Sequence, residues 1–234
     1  MALQDIRKRL RGLADSVIAE HSQRFFKTGK GEYGEGDKFL GIRVPVLRKQ
    51  AKQCQNLSLN EIKDLLQSSF HEERLGALFM LVARFSRGNS EEKTVIFELY
   101  LKHTKYINNW DLVDSSAHHI VGAYLEKRDK QPIYKLAQSD NLWERRIAML
   151  STFHQIKKND FDDALKIATI LKNDREDLIH KAVGWMLREI GKRNISVEKA
   201  FLKEHYKEMP RTMLRYAIEK FPEPDRKNYL AGQI

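Results

Sequence analysis

An all-α chain, with paired helices stacked as a solenoid, is the fold class this sequence predicts. Three observations carry that expectation. Apolar residues recur every three or four positions almost throughout the chain, the period of one helix face. Strict alternation of apolar and polar residues, the mark of a half-buried strand, is missing. Segments opening near Glu72, Trp110, Trp143, Asp177 and Arg211 also follow one another at intervals of roughly 35 residues, within the range of paired-helix repeats. A generic helical bundle with chance regularity is the competing architecture. In a solenoid one helix of each pair lines a concave surface, so equivalent positions of successive repeats share it.

Taken in order, Leu3, Ile6, Leu10, Leu13 and Val17 advance along one face of a first long helix. The stretch T-G-K-G-E-Y-G-E-G-D-K (28–38) reads as a flexible loop after it. Its glycines match neither G-x-G-x-x-G nor G-K-[ST], so it is no phosphate-binding fingerprint. Helical spacing resumes with Leu75, Leu78, Val82 and Phe85, then with Val113, Ile120 and Tyr124, and again with Val183, Met186 and Ile190. Five prolines, at 45, 132, 210, 222 and 224, fall between these segments or at their starts, where a missing N–H is tolerated.

Composition narrows the class. The 234 residues can bury a sizeable core and are read as one domain, 1–234. Lys and Arg number 42 against 32 Asp and Glu, a net charge of +10 spread along the chain rather than massed in a tail. Such a balance points to a polyanionic partner, nucleic acid first and an anionic membrane surface second. The single cysteine, Cys54, excludes an internal disulfide and a cysteine-based zinc site, and fits a reducing compartment. With no apolar run of spanning length and no secretory core at the start, a soluble cytoplasmic protein is expected. His118 and His119 are adjacent and diverge on a helix, H-E-x-x-H and G-x-S-x-G are missing, and no metal or cofactor is expected.

The residues that suggest chemistry are Trp110, Asp114 and Trp185. On α-helical projection Lys181, Trp185, Arg188 and Lys192 share one stripe, with Ile179, Val183, Met186 and Ile190 almost opposite. Trp185 either covers a repeat junction or offers a flat aromatic face to a sugar or base, with cations placed for phosphates. Trp110 and Asp114, four apart, stack on one helix face at the edge of an apolar stripe. A carboxylate there either pairs with Arg146 or caps a neighbouring helix, or it stabilises developing positive charge and orients a water. Asp111 is the competing acid, placed as an early-turn residue favoured by the helix dipole. Arg146 reads as a salt-bridge residue or as a fork for a phosphate, and Trp143 as a filler between repeats.

Four stretches stand out together: F-L-G-I-R-V-P-V-L-R-K (39–49), N-W-D-L-V-D-S (109–115), S-D-N-L-W-E-R-R (139–146) and H-K-A-V-G-W-M-L-R-E (180–189). Through them the chain resembles the DNA alkylation repair family of AlkD-type glycosylases. The stretches run in the family's order and span nearly the whole chain. The resemblance implies a right-handed α-α superhelix of HEAT-like helix pairs, whose concave basic groove holds double-stranded DNA. It implies a metal-free, monomeric enzyme that hydrolyses the N-glycosidic bond of purines alkylated at N3 or N7, acting without flipping the base.

By the same resemblance, Trp110 and Trp185 correspond to two aromatic residues that pack on the damaged nucleotide's deoxyribose. Asp114 corresponds to the carboxylate that stabilises an oxocarbenium-like sugar and positions water. Arg146 corresponds to an arginine near the lesion's backbone, and Lys181 and Arg188 look like phosphate contacts in the groove. One departure is R-E-D-L-I-H (175–180), where Asp177 and Leu178 replace aromatic residues of a well-known member type; an acid there is expected to weaken backbone binding. A non-catalytic binder of bent or branched DNA and a protein-interaction scaffold are the competing functions.

Overall fold

A computed structural model describes residues 3–54 and 56–234. It is helical throughout, and the only β-type pairing among the described residues is an isolated bridge between Lys38 and Phe70. The helices group into two compact units, Met1–Ser116 and Ala117–Ile234.

The first unit contains α1 (Leu3–Arg11), α2 (Ser16–Phe25), α3 (Val44–Gln53), α4 (Leu59–Leu66), α5 (His71–Arg87), α6 (Ser90–Lys102) and α7 (Trp110–Asp114), with a 3₁₀ turn at Thr104–Tyr106. The expected first long helix is in fact two. Gly12 follows the end of α1, and the Asp15 carboxylate accepts the Val17 and Ile18 amides at 3.0 Å, capping a new helix. Leu13 and Val17 are therefore exposed and do not continue the buried face of Ile6 and Leu10. A reciprocal capping box of Ser58 and Glu61 starts α4. α5 is the centre of this unit: α3, α4, α6 and α7 all pack against it.

Glycine-rich residues 28–38 are knit by turns, with Gly29 donating to Glu32 and Gly31 to Glu35, each at 2.8 Å. Beyond them Phe39–Ile42 form neither helix nor strand. Gly41 has φ +81°, and a side chain there would meet the Asp15 carbonyl oxygen at 2.0 Å, so only glycine fits this crossing.

The second unit opens with a π-helical turn at His118–Gly122 and continues through α8 (Gln131–Ala137), α9 (Leu142–Ser151), α10 (Phe153–Ile156) and α11 (Asp162–Leu171). α12 (Asp177–Gly191), α13 (Ile195–His205), α14 (Arg211–Ala217), a 3₁₀ turn and α15 (Glu223–Ala231) complete it. α8 packs on α9, while α9, α11, α13 and α14 all pack on α12. Gly184 permits the close approach of α14 to α12, since a Cβ there would lie 2.4 Å from the Met213 carbonyl oxygen.

The repeat period therefore has a structural counterpart. α5, α7, α9, α12 and α14 begin at His71, Trp110, Leu142, Asp177 and Arg211. The prolines also stand at helix starts: Pro45, Pro132 and Pro224 in the first turns of α3, α8 and α15, and Pro210 and Pro222 just before α14 and α15. Where the apolar spacing promised a continuous helix through Val113, Ile120 and Tyr124, α7 instead stops after five residues. Ser115 and Ser116 turn their hydroxyls back to the Leu112 carbonyl oxygen, at 3.3 and 2.6 Å, competing with the helical ladder.

Candidate active site

In the first unit the candidate residues sit on α7. The Asn109 side chain, fully buried, accepts the Trp110 amide at 2.8 Å and fixes where the helix begins. The Trp110 ring lies on Phe26, with centroids 5.2 Å apart and planes 22° from parallel, while Phe25 meets it edge-on at 5.9 Å. Phe26 in turn stacks on Phe39 at 5.1 Å, and Phe39 on the His71 ring at 4.5 Å. This column holds the indole in one orientation, because aromatic pairs at 4.5–7 Å gain about 0.5–1.5 kcal/mol beyond burial.

At the base of the column is a charge relay of side chains. His71 Nε2 is 2.8 Å from Asp111 Oδ2, and its Nδ1 is 2.9 Å from Asp37 Oδ2. Arg74 donates to the other Asp37 oxygen at 2.7 Å. Burial disfavours the charged imidazole, but Asp111 and Asp37 outweigh it and push the ring up to about 9. For Asp37 burial works upward, and His71 and Arg74 hold the carboxyl below its usual value. Since His71 binds its proton more tightly folded than unfolded, its stabilisation is complete below pH 6.5 and declines as pH rises through about 9. The thermal midpoint should therefore fall from pH 7 to pH 10, and His71→Gln should flatten that decline; an equal slope in both proteins would contradict it.

This relay separates the two acids of α7. Asp111 lies in the first turn, as an early-turn acid should, and its carboxylate is spent on His71. Asp114 lies at the far end of the helix, half-buried on the same side as Trp110. Near it the fully buried Tyr100 phenol, 2.9 Å from Ser116, is pushed up by burial and by the Asp114 charge.

In the second unit α12 divides as its projection predicts: Ile179, Val183, Met186 and Ile190 are fully buried, and Lys181, Trp185 and Arg188 are half-buried. Trp185 lies 6.1 Å from Phe153, and its indole N–H donates to Glu189. Lys157 and Arg193 also stand over the Phe153 ring, at 4.8 and 5.9 Å from its centroid. The basic stripe carries its own counterions: Lys181 pairs with Asp177 at 2.7 Å, Arg188 with Glu219, and Lys192 with Glu189 at 2.5 Å. Arg146 is only 5% exposed and donates to the Leu178 carbonyl oxygen at 2.6 Å, tying α9 to α12. Trp143, at the start of α9, is buried.

Residues 6–221 match the model of a family described as "DNA alkylation repair enzyme". The chain belongs to that family. Among solved structures it is similar to a "Predicted DNA alkylation repair enzyme from Enterococcus faecalis", at 19% identity, covering 90% of this chain and 97% of that one, with a TM-score of 0.70. It is also similar to AlkD2 from Streptococcus mutans, at 19% identity with coverage of 89% and 98% and a TM-score of 0.55. A third likeness, smu.31 from Streptococcus mutans UA159, has 19% identity, coverage of 94% and 99%, and a TM-score of 0.53. These structural likenesses show the shared all-helical, HEAT-like repeat fold. A comparison with curated proteins finds no match.

Within this DNA alkylation repair family member, then, Trp110 and Asp114 share α7, and Lys181, Trp185 and Arg188 share α12, to which Arg146 is bonded. Sequence reasoning missed the partners that fix them: Phe25, Phe26, Phe39, Asp37 and His71 around Trp110, and Phe153 beside Trp185. Three phenylalanines bracketing the glycine-rich stretch were the available signal for the first group. Among the described residues no helix is long and apolar enough to cross a membrane.

Proposed function

We propose that this chain is a monofunctional DNA glycosylase that hydrolyses the N-glycosidic bond of purines carrying a cationic N3 or N7 alkyl group in double-stranded DNA. One observation carries the reading furthest. On α7 an aromatic face backed by a column of rings shares a helix side with a half-buried carboxylate, while the competing acid is committed to His71. An alkylated purine is already a cationic leaving group, so no general acid is needed. What the reaction needs is stabilisation of positive charge building on the deoxyribose, and a water held for attack. A carboxylate in a partly dry site supplies both, and each ring face adds about 0.5–2 kcal/mol toward a cation.

In this reading Asp114 stabilises the oxocarbenium-like sugar, Trp110 offers an aromatic face from α7, and Trp185 offers one to the DNA from α12. Lys181 and Arg188 meet phosphates by exchanging Asp177 and Glu219 for the backbone, so those two acids temper affinity. Arg146 is the third DNA-binding residue, acting from its place against Leu178. The protein works as one monomeric, cytoplasmic domain without a cofactor, and reaches the sugar with the lesion still stacked, which spares the cost of extrusion. The coarser function, DNA alkylation repair, is the family's own.

The test is base release at enzyme excess from duplexes carrying 7-methylguanine, 3-methyladenine or neutral hypoxanthine. Release of the two cationic bases, with strands intact until heated in alkali and with hypoxanthine retained, is the expected result. No release from any duplex would leave the alternative, a non-catalytic binder of bent or branched DNA. Affinity that ignores salt, where each phosphate contact should contribute a slope of about 0.9 in log Kd against log salt, would exclude both.

A further inference from the structure

We infer that His71 is a positioning residue for this site, holding α7 in place and through it both Trp110 and Asp114; the inference rests on the glycosylase reading above. α7 has five residues, far fewer than the roughly 12–15 an isolated helix needs to be even marginally stable. Its position must come from what it touches. Three attachments stand at its start: the Asn109 cap, the stack of Trp110 on Phe26, and the bond from Asp111 to His71. Only the last ties α7 by a charged bond to α5, the helix on which this whole unit is built.

The tie is rigid at its other end as well. His71 is the first residue of α5, and its own amide donates to the Lys38 carbonyl oxygen at 2.8 Å. Its ring is stacked on Phe39, lies 5.0 Å from Phe26, and has both nitrogens engaged by carboxylates. A carboxylate only accepts, so satisfying Asp37 and Asp111 together requires a doubly protonated ring. Arg74 is a further charged group facing this cluster, bonded to Asp37 at 2.7 Å. The imidazolium therefore does three things at once. It fixes the rotamer of Asp111, cancels that charge beside a surface meant for a polyanion, and presses on the ring column that backs Trp110. At 2% side-chain exposure with both nitrogens occupied, it does not itself meet a substrate.

The two amides separate the two ends of this bridge. His71→Asn can still donate toward Asp37 but falls short of Asp111; His71→Gln reaches Asp111 with its terminal amide. For His71→Asn the single-turnover rate of 7-methylguanine release at saturating enzyme should fall at least tenfold, with the Kd for the duplex unchanged within about twofold. His71→Gln should recover most of the lost rate. Amide hydrogen exchange across residues 110–116 should quicken in the Asn protein, while α12 and α14 keep their protection. Asp111→Ala cuts the same bond from the half-exposed side of α7 and should match the Asn variant, which keeps the test open if that variant does not fold. A wild-type rate in His71→Asn or in Asp111→Ala, equal losses in Asn and Gln, or a rise in Kd that accounts for the slower rate would overturn the inference. A wild type that releases no base would defeat the glycosylase reading instead, and the exchange difference would still decide whether His71 holds α7.

Discussion

Asp114→Asn should lower the single-turnover rate of 7-methylguanine release by about 10²–10³-fold, the usual cost of deleting one preorganised electrostatic contact to a transition state. The substitution keeps the shape and the position on α7 and removes only the charge. That charge is needed once the glycosidic bond has stretched and the sugar has become cationic, so the loss belongs to the rate and not to binding. DNA affinity should stay level or rise slightly, because a negative charge facing a polyanion has been removed. The charge lies near the buried Tyr100 phenol, whose proton is held by burial in either case. Base release at the wild-type rate, with the duplex bound, would remove Asp114 from the chemistry. A parallel collapse of rate and affinity would make it a structural residue.

Much of this fold was legible because several of its helices announce their starts with local chemistry. Asn141 ahead of Trp143, Asn109 ahead of Trp110, and prolines ahead of α14 and α15 are helix-start signals that act within a few residues. Local signals also misled. Leu13 and Val17 continue the spacing of Ile6 and Leu10, yet the Asp15 cap breaks the helix between them and leaves both outside. The two halves of the candidate site differ in the same way. The stripe of Lys181, Trp185 and Arg188 follows from projection of a single regular helix, and the Lys181–Asp177 pair from its four-residue spacing. The surroundings of Trp110 do not, since Phe26, Phe39 and His71 reach it from segments separated by turns and by whole helices. Gly34 makes that convergence possible; a Cβ there would lie 2.5 Å from the Phe26 carbonyl oxygen. Nothing in periodicity announces such a crossing, and nothing in it pairs Arg188 with Glu219.

Glu72→Ala should destabilise the protein by about 3–5 kcal/mol, several times the effect of an ordinary surface change. Glu72 is 4% exposed, and its carboxylate receives three backbone amides: Leu40 at 2.8 Å, Gly41 at 2.7 Å and Ile42 at 3.1 Å. That segment turns left-handed at Gly41 and belongs to no sheet, so the side chain does what a neighbouring strand would otherwise do. Truncation leaves three buried donors without acceptors, each costing about 1–3 kcal/mol, with part of the sum recovered as water enters. Glu72→Gln should lose nearly as much, because one of its two acceptors becomes a donor facing a donor. Urea denaturation should show a lower midpoint at an unchanged slope, and a thermal midpoint lower by about 10 °C; a loss under about 1 kcal/mol would show that the three amides find other partners. The consequence reaches the site, because Phe39 is the residue just before those amides and the ring between His71 and Phe26. A Glu72 variant assayed well below its melting point should therefore release base more slowly than its folded fraction alone accounts for, since the column behind Trp110 has lost its footing.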